Sequence, residues 1–256
     1  MPDLVTVLRM DDGAFWRVTF GGTKGNILDA ATMTALDRVF RDARASAPLK
    51  AICLEGGGRH FSFGASVPEH LPGQVADMLA GIRQLVLDML DCHVILLAAV
   101  RGQCLGGGLE VASVCHRIFA SGEARLGQPE IALGVFAPIA SLILPDRLPR
   151  GCAEDLCLTG RSVTAEEAHA MRLVDELTAG DPAEAALAWA RTHLAARSAF
   201  SLRMAVKAVR ASLTARIRAE LPLLEQQYLG ELMASHDATE GLQSFIDKRS
   251  PMWRNA

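Results

Sequence analysis

Glu110 and Glu130 stand twenty residues apart in the stretch 101–133, RGQCLGGGLEVASVCHRIFASGEARLGQPEIAL. Two carboxyl groups held by stiff turns suit proton transfer to and from water, one taking a proton while the other gives one. The triple glycine Gly106-Gly107-Gly108 follows the apolar run 94–100 and precedes Leu109-Glu110-Val111-Ala112, which reads as a helix start. A strand, a glycine turn and a helix N-terminus gather free backbone N–H groups and the positive end of a helix dipole, suited to an oxygen that becomes negative. At about 100° per residue, Glu110 returns to the helix face of Gly107 one turn on. Glu130 follows Gln128-Pro129, and the proline fixes the approach of the chain.

Other chemistries find less support. Neither a phosphate loop nor a dinucleotide fingerprint can be read at the glycine clusters 56–64 and 102–108, and no G-x-S-x-G occurs. The seven histidines show no metalloprotease spacing, so no metal is expected. His60 and His70 flank the segment 61–66, placed to touch a ligand there, but read first as loop histidines facing water. The six cysteines lie scattered without a C-x-x-C pair and read as buried free thiols. Arg203, Lys207, Arg210, Arg216 and Arg218 read as the solvated face of late helices, with contacts to a phosphate-bearing ligand as the alternative for some of them.

The surrounding elements form an α/β chain that turns helical. At 256 residues and 50% hydrophobic content the chain can bury a large core. Two alternating runs around Asp11-Asp12-Gly13 predict an opening β-hairpin over 5–20. Asp29 is an N-cap for a helix over 30–45 with Met33, Leu36, Val39, Phe40 and Ala43 buried. A strand is expected over 51–54. A helix over 75–90 follows, with Met78, Leu79, Ile82, Leu85, Val86 and Met89 at helical spacing. Strands are expected at 94–100, 117–120 and around 173–177. From Pro182 onward the pattern predicts helices over 183–196, 201–213, 215–234 and 238–248. Net charge of −3 provides no basic field for nucleic acid. No apolar run reaches the roughly 20 residues of a membrane span. Met1-Pro2-Asp3 begins no signal peptide, and a cytoplasmic location is expected.

Taken together, HFSFGAS, GQCLGGGLEVAS and GQPEIALG resemble, in order and spacing, the enoyl-CoA hydratase/isomerase family, the crotonases. The likeness runs over nearly the whole chain, from Asn26-Ile27-Leu28 to Glu240-Gly241 and Asp247-Lys248-Arg249. It implies a spiral of ββα turns over 1–181 with the acyl-CoA site, and a helical trimerisation region over 182–256. It further implies a homotrimer or homohexamer, and no cofactor beyond the CoA carried by the substrate. By motif position, Ala65 and Gly107 would be the oxyanion-hole donors and Glu110 and Glu130 the hydratase glutamates. Lys24, Phe63, Gly64, Ser66, Gly106, Phe136, Phe245 and Lys248 would contact the substrate or its CoA. Glu130 is assigned the principal proton donor and Glu110 the water-activating partner.

Two departures narrow that expectation. Gly64-Ala65-Ser66-Val67-Pro68 lacks the acidic and lysine side chains the family tends to carry there. Leu133-Gly134-Val135-Phe136-Ala137-Pro138 puts bulk where the family commonly has flexible glycine. A wall containing Phe136 suits a compact acyl group, and FSFGASV with LGVFAP is similar to the branch hydrating cyclohexa-1,5-diene-1-carbonyl-CoA in anaerobic benzoyl-CoA breakdown. A generic hydratase or isomerase of open-chain thioesters, and a non-catalytic acyl-CoA-binding protein of the same fold, are the alternatives.

Overall fold

The computed structural model describes residues 3–21 and 25–256. The chain opens with β1 (Val5–Met10) and β2 (Phe15–Phe20), an antiparallel hairpin whose turn holds Asp11, Asp12 and Gly13 at positive φ. Helix α1 (Ala30–Ala45) starts where Asp29 accepts a hydrogen bond from Thr32 N–H at 2.8 Å, and all five residues expected on its inner stripe are buried. Then come β3 (Ala51–Gly56), α2 (Val75–Asp91), β4 (Ile95–Val100), the short β5 (Gln103–Leu105), α3 (Gly107–Val114) and β6 (Arg117–Ser121). They are followed by β7 (Arg125–Gly127), α4 (Pro138–Arg147), α5 (Arg150–Thr159), β8 (Ser162–Thr164), α6 (Ala165–Ala170) and β9 (Glu176–Thr178). The remainder is helical: α7 (Pro182–Leu194), α8 (Ala199–Gln227) and α9 (His236–Ile246).

The main sheet runs β1-β2-β3-β4-β6-β9, parallel from β2 onward, and a second sheet runs β5-β7-β8. Parallel strands bury both faces, and here the alternation divides the core in two. Ile52, Leu54, Leu96, Ala98 and Val100 face the layer of α1, α2 and α3. Ala51, Cys53, Leu97 and Ala99 face α7 through Ala183, Ala186, Leu187, Ala190 and Leu194. Four cysteines are buried, Cys152 and Cys157 are partly so, and all six are free thiols.

Two expectations shift, and three short strands are additional. The helices expected over 201–213 and 215–234 are one, because α8 runs unbroken past Thr214 and Pro222 while packing on α2 and α4, then ends in a π turn, Tyr228–Leu232. The last strand lies later than 173–177. Leu173 and Val174 are buried core, and the Asp175 carboxylate is engaged by Ile118 N–H and Arg147, so pairing with β6 begins at Glu176. The three-residue strands β5, β7 and β8 are too short for alternation to mark.

Candidate active site

Each residue of the triple glycine has its own steric reason. Gly106 sits at φ +52°, and a Cβ there would come within 2.5 Å of the Glu130 Oε1. A Cβ on Gly107 would meet Ala65 N at 3.2 Å, and one on Gly108 would meet Ser62 Cβ at 2.6 Å. The turn therefore presses three separate segments together. Ser62 is fixed in turn, its hydroxyl donating to the Asn26 carbonyl at 2.8 Å and accepting from Gly64 N–H at 3.0 Å.

This packing brings two backbone donors side by side. Gly107 is the first residue of α3, so its N–H belongs to the orphan donors of a helix start. Ala65 follows Gly64, held at φ +101°, and among the described residues its N–H makes no hydrogen bond. A Cβ on Gly64 would reach 3.3 Å from Gly107 N.

The two glutamates face the same cavity, in unlike settings. Glu110 stands in the first turn of α3, 5% exposed, and its Oε1 accepts from Ala140 N–H at 2.8 Å at the start of α4. Pro138 opens α4, where its missing N–H costs nothing, and the helix dipole points its positive end at this carboxyl. Glu130 lies in the 3₁₀ segment Pro129–Leu133, and its Oε2 is buried with no partner among the described residues. Burial pushes both carboxyls up from the ordinary glutamate range. For Glu110 the N–H groups of Ala140 and Ile139 oppose that rise, whereas the charge of Glu110 raises Glu130 further. The Ala140 N–H therefore favours the ionised form of Glu110, and a charge on Glu110 favours the protonated form of Glu130.

Counted together with the open solvent at its mouth, the cavity holds about 400 Å³ of empty space. Ala65, Gly107 and the two glutamates form one side of it; Met78, Leu79 and Ile82 of α2, the stretch Phe136–Ile139, and Leu221, Glu225 and Tyr228 from the end of α8 form the rest. Phe136 packs edge-on against the Tyr228 ring, 5.2 Å between centroids. His70 also lines it, which corrects the expectation of a water-facing loop histidine: its Nδ1 lies 2.8 Å from the Ser66 carbonyl, and burial holds its pKa down. Among the described residues no three His, Cys, Asp or Glu side chains come together as a metal site.

Not every expected contact residue reaches this cavity. Gly64 and Gly106 underlie it, and Ser66 contributes the carbonyl facing His70. Phe63 is 43% exposed, its ring against His60 at 4.9 Å. Phe245 is 56% exposed and Lys248 is exposed, because α9 turns Ala238, Gly241, Leu242 and Ser244 inward and the ring and ammonium outward. Lys24 lies outside the described residues. Tyr228 and Glu225 were not legible as site residues, since they reach the glutamates only through the path of α8. The sole signal was that Tyr228 is the single tyrosine of the chain.

The sequence profile of the enoyl-CoA hydratase/isomerase family matches residues 14–256. The chain belongs to that family. The resemblance carried by the glycine and glutamate motifs is thereby borne out. The chain is 50% identical over 244 residues to a cyclohexa-1,5-dienecarbonyl-CoA hydratase of Thauera aromatica, covering 95% of this chain and 94% of that one. It is 34% identical over 236 residues to a probable enoyl-CoA hydratase of Rhizobium meliloti, covering 90% of each. A crystal structure of an enoyl-CoA hydratase from Mycobacterium avium subsp. paratuberculosis superposes with a TM-score of 0.84 at 23% identity, covering 98% of each chain. That likeness bears out the crotonase fold.

Proposed function

We propose that this member of the enoyl-CoA hydratase/isomerase family adds water to cyclohexa-1,5-diene-1-carbonyl-CoA, giving 6-hydroxycyclohex-1-ene-1-carbonyl-CoA, as a step in anaerobic benzoyl-CoA breakdown. The observation that carries it is one cavity holding two buried carboxyls, one hydrogen-bonded to Ala140 N–H and the other with an unpartnered oxygen, beside the Ala65 and Gly107 N–H groups. The Thauera aromatica relative, half identical along nearly its whole length, supports the ring substrate, as does the bulk of Phe136 in the wall.

In this reading the thioester oxygen sits between Ala65 N–H and Gly107 N–H. Each donor placed where charge develops contributes roughly 3 to 4 kcal/mol, judged by removing one. Glu110, its ionised form favoured by Ala140 N–H, takes a proton from water as the water oxygen bonds to the β-carbon. Electron density moves onto the thioester oxygen and the far end of the diene. Glu130, its protonated form favoured by the charge on Glu110, delivers its proton there. Transfer of the captured proton from Glu110 to Glu130 restores both. Gly106 keeps the Glu130 carboxyl against the glycine turn because no side chain intervenes.

The experiment is water addition to the cyclic dienoyl-CoA and to crotonyl-CoA side by side, followed by absorbance and mass. Addition to the ring diene with little turnover of crotonyl-CoA supports the proposal. Preference for crotonyl-CoA replaces it with an open-chain hydratase, and tight binding of both esters without turnover replaces it with an acyl-CoA-binding protein.

We further propose a homotrimer or homohexamer built through the region 182–256, acting in the cytoplasm without nucleic acid or membrane and with no cofactor beyond the CoA of its substrate. Exposed Phe200, Met204, Val209 and Leu223 on α8 support self-association. No described helix is long and apolar enough to cross a membrane. Sedimentation equilibrium of the full chain tests the assembly.

A further inference from the structure

Tyr228 is the only tyrosine of the chain, 1% exposed, and its ring lines the same cavity as Glu110 and Glu130. It opens the π turn after α8, a kind of irregularity that recurs at functional positions. Its edge-on seating against Phe136 leaves the hydroxyl little freedom to swing away. That hydroxyl is buried with no hydrogen-bond partner among the described residues. Phenylalanine would pack the same space without the cost of burying an unpaired polar group. The hydroxyl is therefore unexplained by packing.

We propose that Tyr228 is a specificity-determining residue, donating a hydrogen bond to the oxygen that water contributes, so that the cavity recognises hydroxylated acyl thioesters as a class. The inference rests on the hydratase reading of the cavity. An acyl thioester brings few acceptors into such a site. Its carbonyl oxygen belongs beside Ala65 and Gly107, and a hydrocarbon ring has none. The remaining oxygen is the one being added, held by the glutamates, and the Oε2 of Glu130 likewise has no partner among the described residues. Tyr228 and both glutamates line the one cavity, so a hydroxyl held there has a donor and carboxyls around it. Burial and two neighbouring carboxyls keep the phenol protonated. Its role is that of a donor, and no proton leaves it.

The test compares ligands that differ by one hydroxyl. In a Glu110→Gln background, which slows interconversion enough for binding to be read first, Kd is measured for 6-hydroxycyclohex-1-ene-1-carbonyl-CoA and for cyclohex-1-ene-1-carbonyl-CoA, with and without Tyr228→Phe. The substitution is expected to lose about tenfold in preference for the hydroxylated ester, leaving the other within about twofold. An unchanged preference, or equal weakening of both, overturns the proposal. A second measurement leaves the fold intact. With one tyrosine in the chain, 3-fluorotyrosine labels this site alone, and its fluorine resonance should move further with the hydroxylated ester; equal movement with both overturns the proposal. If the protein fails to hydrate the ring diene, the ring reading falls. The Tyr228 assignment is then decided separately by the same ratio for 3-hydroxybutanoyl-CoA and butanoyl-CoA.

Discussion

Glu110 and Glu130 share a residue type and a cavity, and what separates them is the start of α4, which aims N–H groups at one carboxyl and not at the other. Replacing either by glutamine keeps the shape and removes the proton function. Water addition should fall by about 10²- to 10⁴-fold in each variant, measured as kcat. Stability should move the opposite way. A carboxyl whose pKa is raised by folding binds its proton more tightly in the folded state, so stability falls as pH climbs from 4.5 through the raised value. Glu130→Gln should accordingly melt above the parent at pH 8.5, with the gap closing toward pH 5, and a constant gap would show that the pair is not desolvated as described. The glutamates were legible because glycine and proline marked their turns. His70 and Tyr228 were not, because nothing local distinguishes a buried histidine or tyrosine from an exposed one.

At the scale of elements, α9 braces the Glu130 segment through two glycines. A Cβ on Gly241 would come within 2.1 Å of the Leu133 carbonyl oxygen, and one on Gly134 within 2.7 Å of the Asp237 carbonyl. Alanine in a helix interior usually gains up to about 1 kcal/mol over glycine. At Gly241 the contact is with backbone that cannot swing aside, so Gly241→Ala should destabilise, and should lower kcat by displacing the turn that carries Glu130. A thermal melt and a turnover assay check both, and a stabilised, fully active variant would refute the brace. The stripes of α1 and α2 could be read at once, since their apolar spacing and their burial coincide. The unity of α8 could not. Thr214 and Pro222 are weak helix formers locally, and their helical state comes from packing on α2 and α4. Arg203 adds a long-range tie, donating to carbonyls at the end of α1 and to Cys92 just after α2.

Across the whole molecule, the cavity joins stretches that the chain keeps far apart: the loop at Ala65, the region 107–139 and the end of α8. An unreactive acyl-CoA at about 100 times its Kd should raise stability by about 2.7 kcal/mol. It should also slow amides that exchange by local opening over 221–232 more than those of α7, on the opposite face of the sheet. Equal protection of α7 would mean that the ligand tightens the whole fold. The α/β-then-helical order was readable from pattern, whereas the return of α8 onto the glutamates is a property of topology alone. The contact between Gly106 and Glu130 has a consequence for how such a gene can drift. Every single-base change of a glycine codon that alters the residue adds a side chain, and at position 106 any side chain displaces the carboxyl. Phe136 is one base from leucine, and it packs against the Tyr228 ring and the edge of the apolar core, not against either glutamate's hydrogen-bond partner. A change in the wall can thus retune which acyl group fits without displacing Glu130, and a lineage can change substrate while inheriting its mechanism intact.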